Sequence, residues 1–156
     1  MNLDKLNQWL TLLANVGVLA GIFFLAIEMQ QNTEMMRAQT RDAVTEKLTN
    51  WFMDVGANPE AAQVMSNGNR LADLDIEAGE PLMYTLMVQG NLRLWENELY
   101  QYEKGLFEEE EFHARKLAWE LLMRSPGYQR VWEGGKTMYS PRFQIEIDSL
   151  LNLSTK

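Results

Sequence analysis

The amino-terminal part of the chain contains an uncharged run that is long enough to cross a lipid bilayer. Residues 10–27 read LTLLANVGVLAGIFFLAI, eighteen residues without a charged side chain. At about 1.5 Å per helical residue this run is roughly 27 Å long, close to the ~30 Å hydrocarbon thickness of a bilayer. Trp9 lies at its boundary, where an amphipathic ring prefers the interface. The run predicts a transmembrane helix within residues 1–28, followed by a helical soluble domain over residues 29–156.

Two other structures compete with this interpretation: a buried core helix and a cleaved signal peptide. A core helix in a protein of this size usually has a polar face, whereas Thr11 and Asn15 are the polar residues of this run. A signal peptide needs a positive amino-terminal region and a small-x-small cleavage site. Here Asp4 offsets Lys5, and the residues at the end of the run, IEMQQ at 27–31, have no A-x-A cleavage pattern. The pattern therefore favours an uncleaved anchor.

The basic residues near the run predict its orientation. Lys5 precedes it, whereas Arg37, Arg41 and Lys47 follow within about twenty residues. Because basic residues are retained on the cytoplasmic side, we expect a single-pass protein whose carboxyl-terminal domain lies in the cytoplasm.

Small and polar residues inside the run indicate packing against another helix. Gly17 and Gly21 form a G-x-x-x-G pair, and Ala14 lies one turn earlier. Small residues at this spacing let helices approach closely in lipid, although glycine is also common in membrane helices for reasons of composition. Asn15 would place an amide within the hydrocarbon, where an unsatisfied polar group is costly. We expect a helix partner here, either another copy of the chain or a different protein.

The remainder of the chain has helical periodicity and helix-start signals, and no segment alternates as a strand does. Val44, Leu48, Trp51/Phe52 and Val55 recur on one helical face, so the membrane helix is expected to continue into the soluble domain. The fold class is therefore all-α, with the transmembrane helix continuing into a bundle of five or six helices. The expected later helices begin at Asn58-Pro59, span Glu77 to Lys104 and Glu108 to Met123, and start at the capping pairs Ser125-Pro126 and Ser140-Pro141.

Composition removes several kinds of chemistry. The chain has no Cys and one His, His113, which excludes thiol nucleophiles, iron–sulfur clusters, Cys-based zinc sites and sites that need several histidines from one chain. Its net charge of −8 repels phosphate backbones, so we expect no nucleic-acid partner.

Two constellations of polar residues are candidates for chemistry. Glu110-x-x-His113 has the spacing of a ligand pair in carboxylate di-iron bundles, but a full site needs a second such pair, so a solvated first helical turn is favoured. Arg93 and Glu96 share a helix face three residues apart, next to Trp95. They predict a structural polar pair inside the bundle, with a ligand or proton site as the alternative.

Four stretches carry a resemblance to a known group of proteins. They are FLAIEMQQNT at residues 24–33, WENELYQY at 95–102, SPG at 125–127 and YSPRF at 139–143. In order and spacing the chain resembles, over nearly its whole length, a widespread group of small bacterial proteins of unknown function. The resemblance implies an amino-terminal helix in the bacterial inner membrane and a helical cytoplasmic domain, and it implies no activity.

These features favour a membrane-anchored interaction protein, an accessory subunit or scaffold without catalytic activity or cofactor. Its expected partners are the lipid bilayer and either further copies of itself or a larger membrane-protein complex. The alternative is a homo-oligomeric membrane bundle that forms a small pore or a signalling assembly.

Overall fold

The computed structural model describes residues 3–70 and 79–154, and all regular structure in these residues is helical. The predicted all-α fold is thus confirmed. The predicted start of the third helix at Glu77 lies outside the described residues. The elements are α1 (Leu3–Gly56), α2 (Pro59–Asn69), α3 (Glu80–Glu103), α4 (Glu109–Met123), α5 (Pro126–Gly135), a 3₁₀ turn (Lys136–Met138) and α6 (Pro141–Ser154).

Helix α1 is 54 residues long and includes the whole apolar run. It continues without interruption because no proline and no glycine occurs between Gly21 and Gly56. The chain divides into two units, Met1–Gln39 and Thr40–Lys156. In the first unit the described residues form one helix, and every side chain from residue 3 to residue 39 is exposed.

The second unit is a helical bundle with an aromatic core. Trp95 of α3 stacks with Trp119 of α4 and with Tyr128 of α5, at ring-centroid distances of 5.6 and 5.8 Å. Phe143 of α6 meets Trp119 edge-on. Flat rings at these distances bury large apolar areas and have preferred relative orientations, so the stack fixes how α3, α4, α5 and α6 pack.

The last part of α1 belongs to this bundle through one face. Val44 is buried, and Trp51 and Val55 pack against the core. Trp51 Nε1 donates a hydrogen bond to the carbonyl of Met87 at 3.4 Å. Phe52 is exposed, because it lies one residue beyond the buried stripe and is rotated by a further 100° around the helix.

The helix-start signals have different outcomes. Asn58 caps α2 as expected, with its side-chain oxygen accepting from the backbone N–H groups of Glu60 at 3.0 Å and Ala61 at 3.3 Å. Ser140 accepts from Phe143 N at 3.4 Å. Ser125 does not cap α5, because its hydroxyl donates to the carbonyl of Asn69 at 2.8 Å.

Helices α2 and α5 cross at two glycines. A β-carbon on Gly127 would collide with the carbonyl of Gly68 and the hydroxyl of Tyr84, and one on Gly68 would collide with the Tyr84 ring. Both positions therefore need glycine so that two backbones and one ring can share this space.

Candidate functional site

Helix α1 carries an extended apolar surface that no other part of the described chain covers. The described residues contain one helix that is long and apolar enough to cross a membrane by length and composition; its best window has a mean hydropathy of 2.4 and no buried residue. The exposed fraction is 66% for Phe23 and 71% for Phe24. An apolar patch of this extent is unusual on a soluble monomer and marks a surface that a membrane or a partner covers.

The four residues predicted to pack in the membrane lie on this surface. Ala14, Asn15, Gly17 and Gly21 are all exposed. A β-carbon added at Gly17 or Gly21 would meet no atom within 4 Å. No other described segment of the chain therefore packs against these four residues. Their role in helix packing stays a prediction.

Arg93 and Glu96 form an ion pair on α3, with Arg93 Nη1 2.6 Å from Glu96 Oε2. The pair lies at the surface of the bundle rather than inside it, because the Arg93 side chain is about half exposed. It holds the turn before α6: Arg93 Nη2 donates to the carbonyl of Met138 at 2.7 Å, and Ser140 N donates to Glu96 Oε1 at 2.6 Å. The arrangement ties that turn to α3.

These contacts set the pKa of Glu96. Partial burial by itself raises the pKa of a carboxyl group, but the backbone N–H of Ser140 and the guanidinium of Arg93 stabilise the ionised form more strongly. The net result is a pKa below the ordinary value of 4.5.

Glu98, which the sequence interpretation did not single out, is the fully buried carboxylate among the residues that the structure describes. Its side chain has no exposed surface. Oε1 accepts from Arg115 Nε at 3.1 Å and from Arg115 Nη2 at 2.8 Å, and Oε2 accepts from Trp119 Nε1 at 3.0 Å. Both oxygens are thus bonded to α4, so the carboxylate joins α3 to α4 and is closed to a substrate.

Burial raises the pKa of Glu98, and Arg115 and Trp119 oppose that shift. A signal for its burial was present in the sequence. Glu98 lies three residues after Trp95, so the two share a helix face, whereas Glu96 is adjacent to Trp95 and points about 100° away. The same argument identifies Arg115 and Trp119, four residues apart, as one face of α4.

A second buried polar residue, Asn91, lies in the core of α3. Its Nδ2 donates to the Tyr128 hydroxyl at 3.0 Å. Its Oδ1 has no hydrogen-bond partner within residues 3–70 and 79–154. Burial of Tyr128 raises the pKa of its hydroxyl, which therefore stays protonated and acts as a neutral partner.

Two clefts lie beside α3 and share Leu99 and Arg142. One has a volume of about 410 Å³ and includes the Arg93–Glu96 pair; the other has about 710 Å³ and includes Glu110 and His113. Arg142 is already paired with Glu103 at 2.6 Å. Over the described residues, no group of three or more His, Cys, Asp or Glu side chains is arranged to hold a metal ion.

Comparison of the chain with family models, with curated proteins and with solved structures found no match. The resemblance drawn from its motifs therefore stays a prediction, and the function proposed for the chain rests on its own residues.

Proposed function

We propose that the protein is a membrane-anchored interaction protein, in which α1 spans a bilayer and holds the helical bundle at the cytoplasmic surface. The observation that carries the proposal is that no residue of the apolar run on α1 is buried in the structure. Each large aliphatic or aromatic side chain moved from water into an apolar medium contributes roughly 1.5–3 kcal/mol, so a bilayer stabilises this helix strongly.

The charge distribution supports the orientation. Glu28 ends the apolar run, and Arg37 and Arg41 follow within about four helical turns, whereas Lys5 alone precedes it. Retention of the more basic flank on the cytoplasmic side supports a bundle that faces the cytoplasm. The motif resemblance supports a bacterial inner membrane as the location.

An accessory or scaffolding role, without catalysis, fits the polar residues of the bundle. Arg93 and Glu96 are committed to the turn before α6, and Glu98 is committed to Arg115 and Trp119. These three side chains are thus used to join helices and turns of the bundle. A helical domain built in this way presents a rigid surface to a neighbouring protein.

Extraction of native membranes with alkaline carbonate tests the anchor. The full chain is expected to stay in the pellet, and its intact mass should include residues 1–27. A variant carrying Leu19→Arg and Ile22→Arg should be extracted, because each central arginine costs about 2.5–3.5 kcal/mol of insertion free energy. The control carries two arginines outside the run, Gln31→Arg and Gln39→Arg, and should remain in the pellet.

Either of two results would contradict the proposal. Release of the unaltered chain into the supernatant would exclude a spanning helix, and a mass lacking the amino-terminal run would identify a cleaved signal peptide. Protease treatment tests the orientation. A cytoplasmic bundle is expected to be digested in inverted membrane vesicles and to be protected in intact spheroplasts.

A further inference from the structure

Six uncharged residues of α1 follow one another at alternating intervals of three and four residues. Residues at these intervals form the contact line between the helices of a coiled coil. We call them the α1 seam: Ile22, Leu25, Met29, Asn32, Met36 and Gln39. Asn15 and Val18 extend the same spacing toward the amino terminus. All of these residues are helical and exposed. The seam therefore begins in the apolar run and continues past its end at Glu28.

Charged residues avoid the seam. Glu34 and Arg37 lie two and five residues beyond Asn32, which places them about 160° and 140° away from it around the helix. Glu28 lies on the flank of the seam, about 40° from Asn32. A charge-free line with charges on the opposite side is the pattern of a helix that packs against another helix along that line.

Lipid cannot cover the second half of the seam. If Glu28 marks the edge of the bilayer, Met29 and Met36 lie outside the hydrocarbon, and they are 63% and 48% exposed. A single helix in water gains little from its own hydrogen bonds, and most helical stability in proteins comes from packing of an apolar face. This segment therefore needs a protein partner rather than a lipid one.

We propose that the α1 seam is the contact surface for a second copy of this chain, with the two α1 helices parallel and in register. This inference rests on the membrane anchor of the proposed function. A shared anchor holds two copies in the same direction and at the same depth, so every seam residue faces its own counterpart.

The seam suits contact with itself. A charged side chain opposite its copy would be repelled, and the seam has none. Its polar members beyond the bilayer, Asn32 and Gln39, are amides, which carry both donor and acceptor groups and so can bond to an identical side chain. A polar amide at a coiled-coil contact position also selects register and number of chains.

Disulfide trapping tests the seam directly, because the natural chain has no cysteine. Single-cysteine variants at Asn32→Cys and Met36→Cys are oxidised in native membranes and compared with Gln30→Cys and Glu34→Cys on the opposite face. All four positions are exposed, so each variant keeps the fold. We expect at least fivefold more disulfide dimer at the two seam positions than at the two controls.

A second variant adds charge at constant shape. Asn32→Asp in the Met36→Cys chain places two like-charged carboxylates opposite each other and should lower dimer yield at least threefold at neutral pH. Gln31→Glu, next to Asn32 but off the seam, is the control and should leave the yield unchanged.

The outcomes separate the two proposals because carbonate extraction is performed on the same membranes. Extraction of the chain contradicts the anchor. A chain that stays in the pellet but gives equal yields at seam and control positions, or no dimer at any of them, contradicts the seam alone. Efficient trapping at Gly17→Cys with none at the seam would also overturn it, in favour of a face centred on the glycine pair.

Discussion

Replacement of Arg115 by methionine tests whether Glu98 is a buried charge held by one partner. Arg115 supplies two of the three hydrogen bonds to the carboxylate and the only positive charge in contact with it in the described part of the chain. Methionine keeps much of the apolar stem and removes both donors. Glu98 would then be a carboxylate without exposed surface, bonded to Trp119 alone.

A buried carboxylate that has lost its ion-pair partner becomes protonated. The free energy of that protonation, which depends on pH, sets the size of the effect. From its ordinary pKa of 4.5, protonating the group at pH 7 costs about 3.4 kcal/mol, and at pH 5 about 0.7 kcal/mol. Breaking a buried ion pair by removing one partner typically costs about 3–5 kcal/mol. Because the pKa of Glu98 is already raised in the unaltered chain, these costs are upper bounds, and we expect Arg115→Met to lower the free energy of unfolding by up to about 3 kcal/mol at pH 7 and by up to about 1 kcal/mol at pH 5.

Urea titration of the full chain in a mild nonionic detergent, followed by circular dichroism at 222 nm, measures this difference. Arg124→Met is the matched control, since Arg124 lies just after the same helix and pairs with Glu120 while being 61% exposed. It should cost no more than about 0.5 kcal/mol at either pH. Adding Glu98→Gln to Arg115→Met should restore part of the stability at pH 7, because no charge is then buried.

A deficit for Arg115→Met that is equal at pH 5 and pH 7 would refute this reasoning. It would mean that the loss comes from packing of the arginine stem and not from the charge left behind. A deficit below about 1 kcal/mol at pH 7 would refute it too, because Glu98 would then be reached by water.

Further predictions concern pH, helix crossing and the anchor. Because its pKa is lowered, Glu96 contributes stability that is present above pH 4.5 and lost as the pH falls below it, so Glu96→Gln should reduce the loss of urea resistance between pH 5 and pH 3. Gly127→Ala should destabilise the bundle by about 2 kcal/mol or more, because the added methyl group collides with Gly68. Gly134→Ala, with open space around it, should stabilise the bundle by up to about 1 kcal/mol. The urea midpoints of the two variants measure both effects. Removal of residues 1–27 should give a chain that is soluble without detergent and whose far-ultraviolet circular dichroism remains helical, whereas aggregation or a strand-like spectrum would contradict this.

The sequence by itself was sufficient for the features that depend on near neighbours along the chain. The eighteen uncharged residues define a helix of bilayer length, and the spacing of Val44, Trp51 and Val55 correctly predicts the face of α1 that the bundle covers. Asn58 followed by Pro59 marks the start of α2 as observed. Helical periodicity and capping act over three or four residues, so they can be read from the residues alone.

The tertiary structure decided which polar groups are buried and which helices touch. Ser125 precedes a proline, as a helix-capping serine often does, so its local sequence predicts a cap. Its hydroxyl donates instead to the carbonyl of Asn69, and only the packing of the helices determines that. The closeness of Gly68 and Gly127 joins residues far apart in sequence. Glu98 is buried because Arg115 and Trp119 on another helix meet both of its oxygens, while Glu96, two residues earlier on the same helix, turns to the surface. A buried charge is tolerated only where partners converge on it, and convergence is set by packing between helices rather than by the order of residues within one.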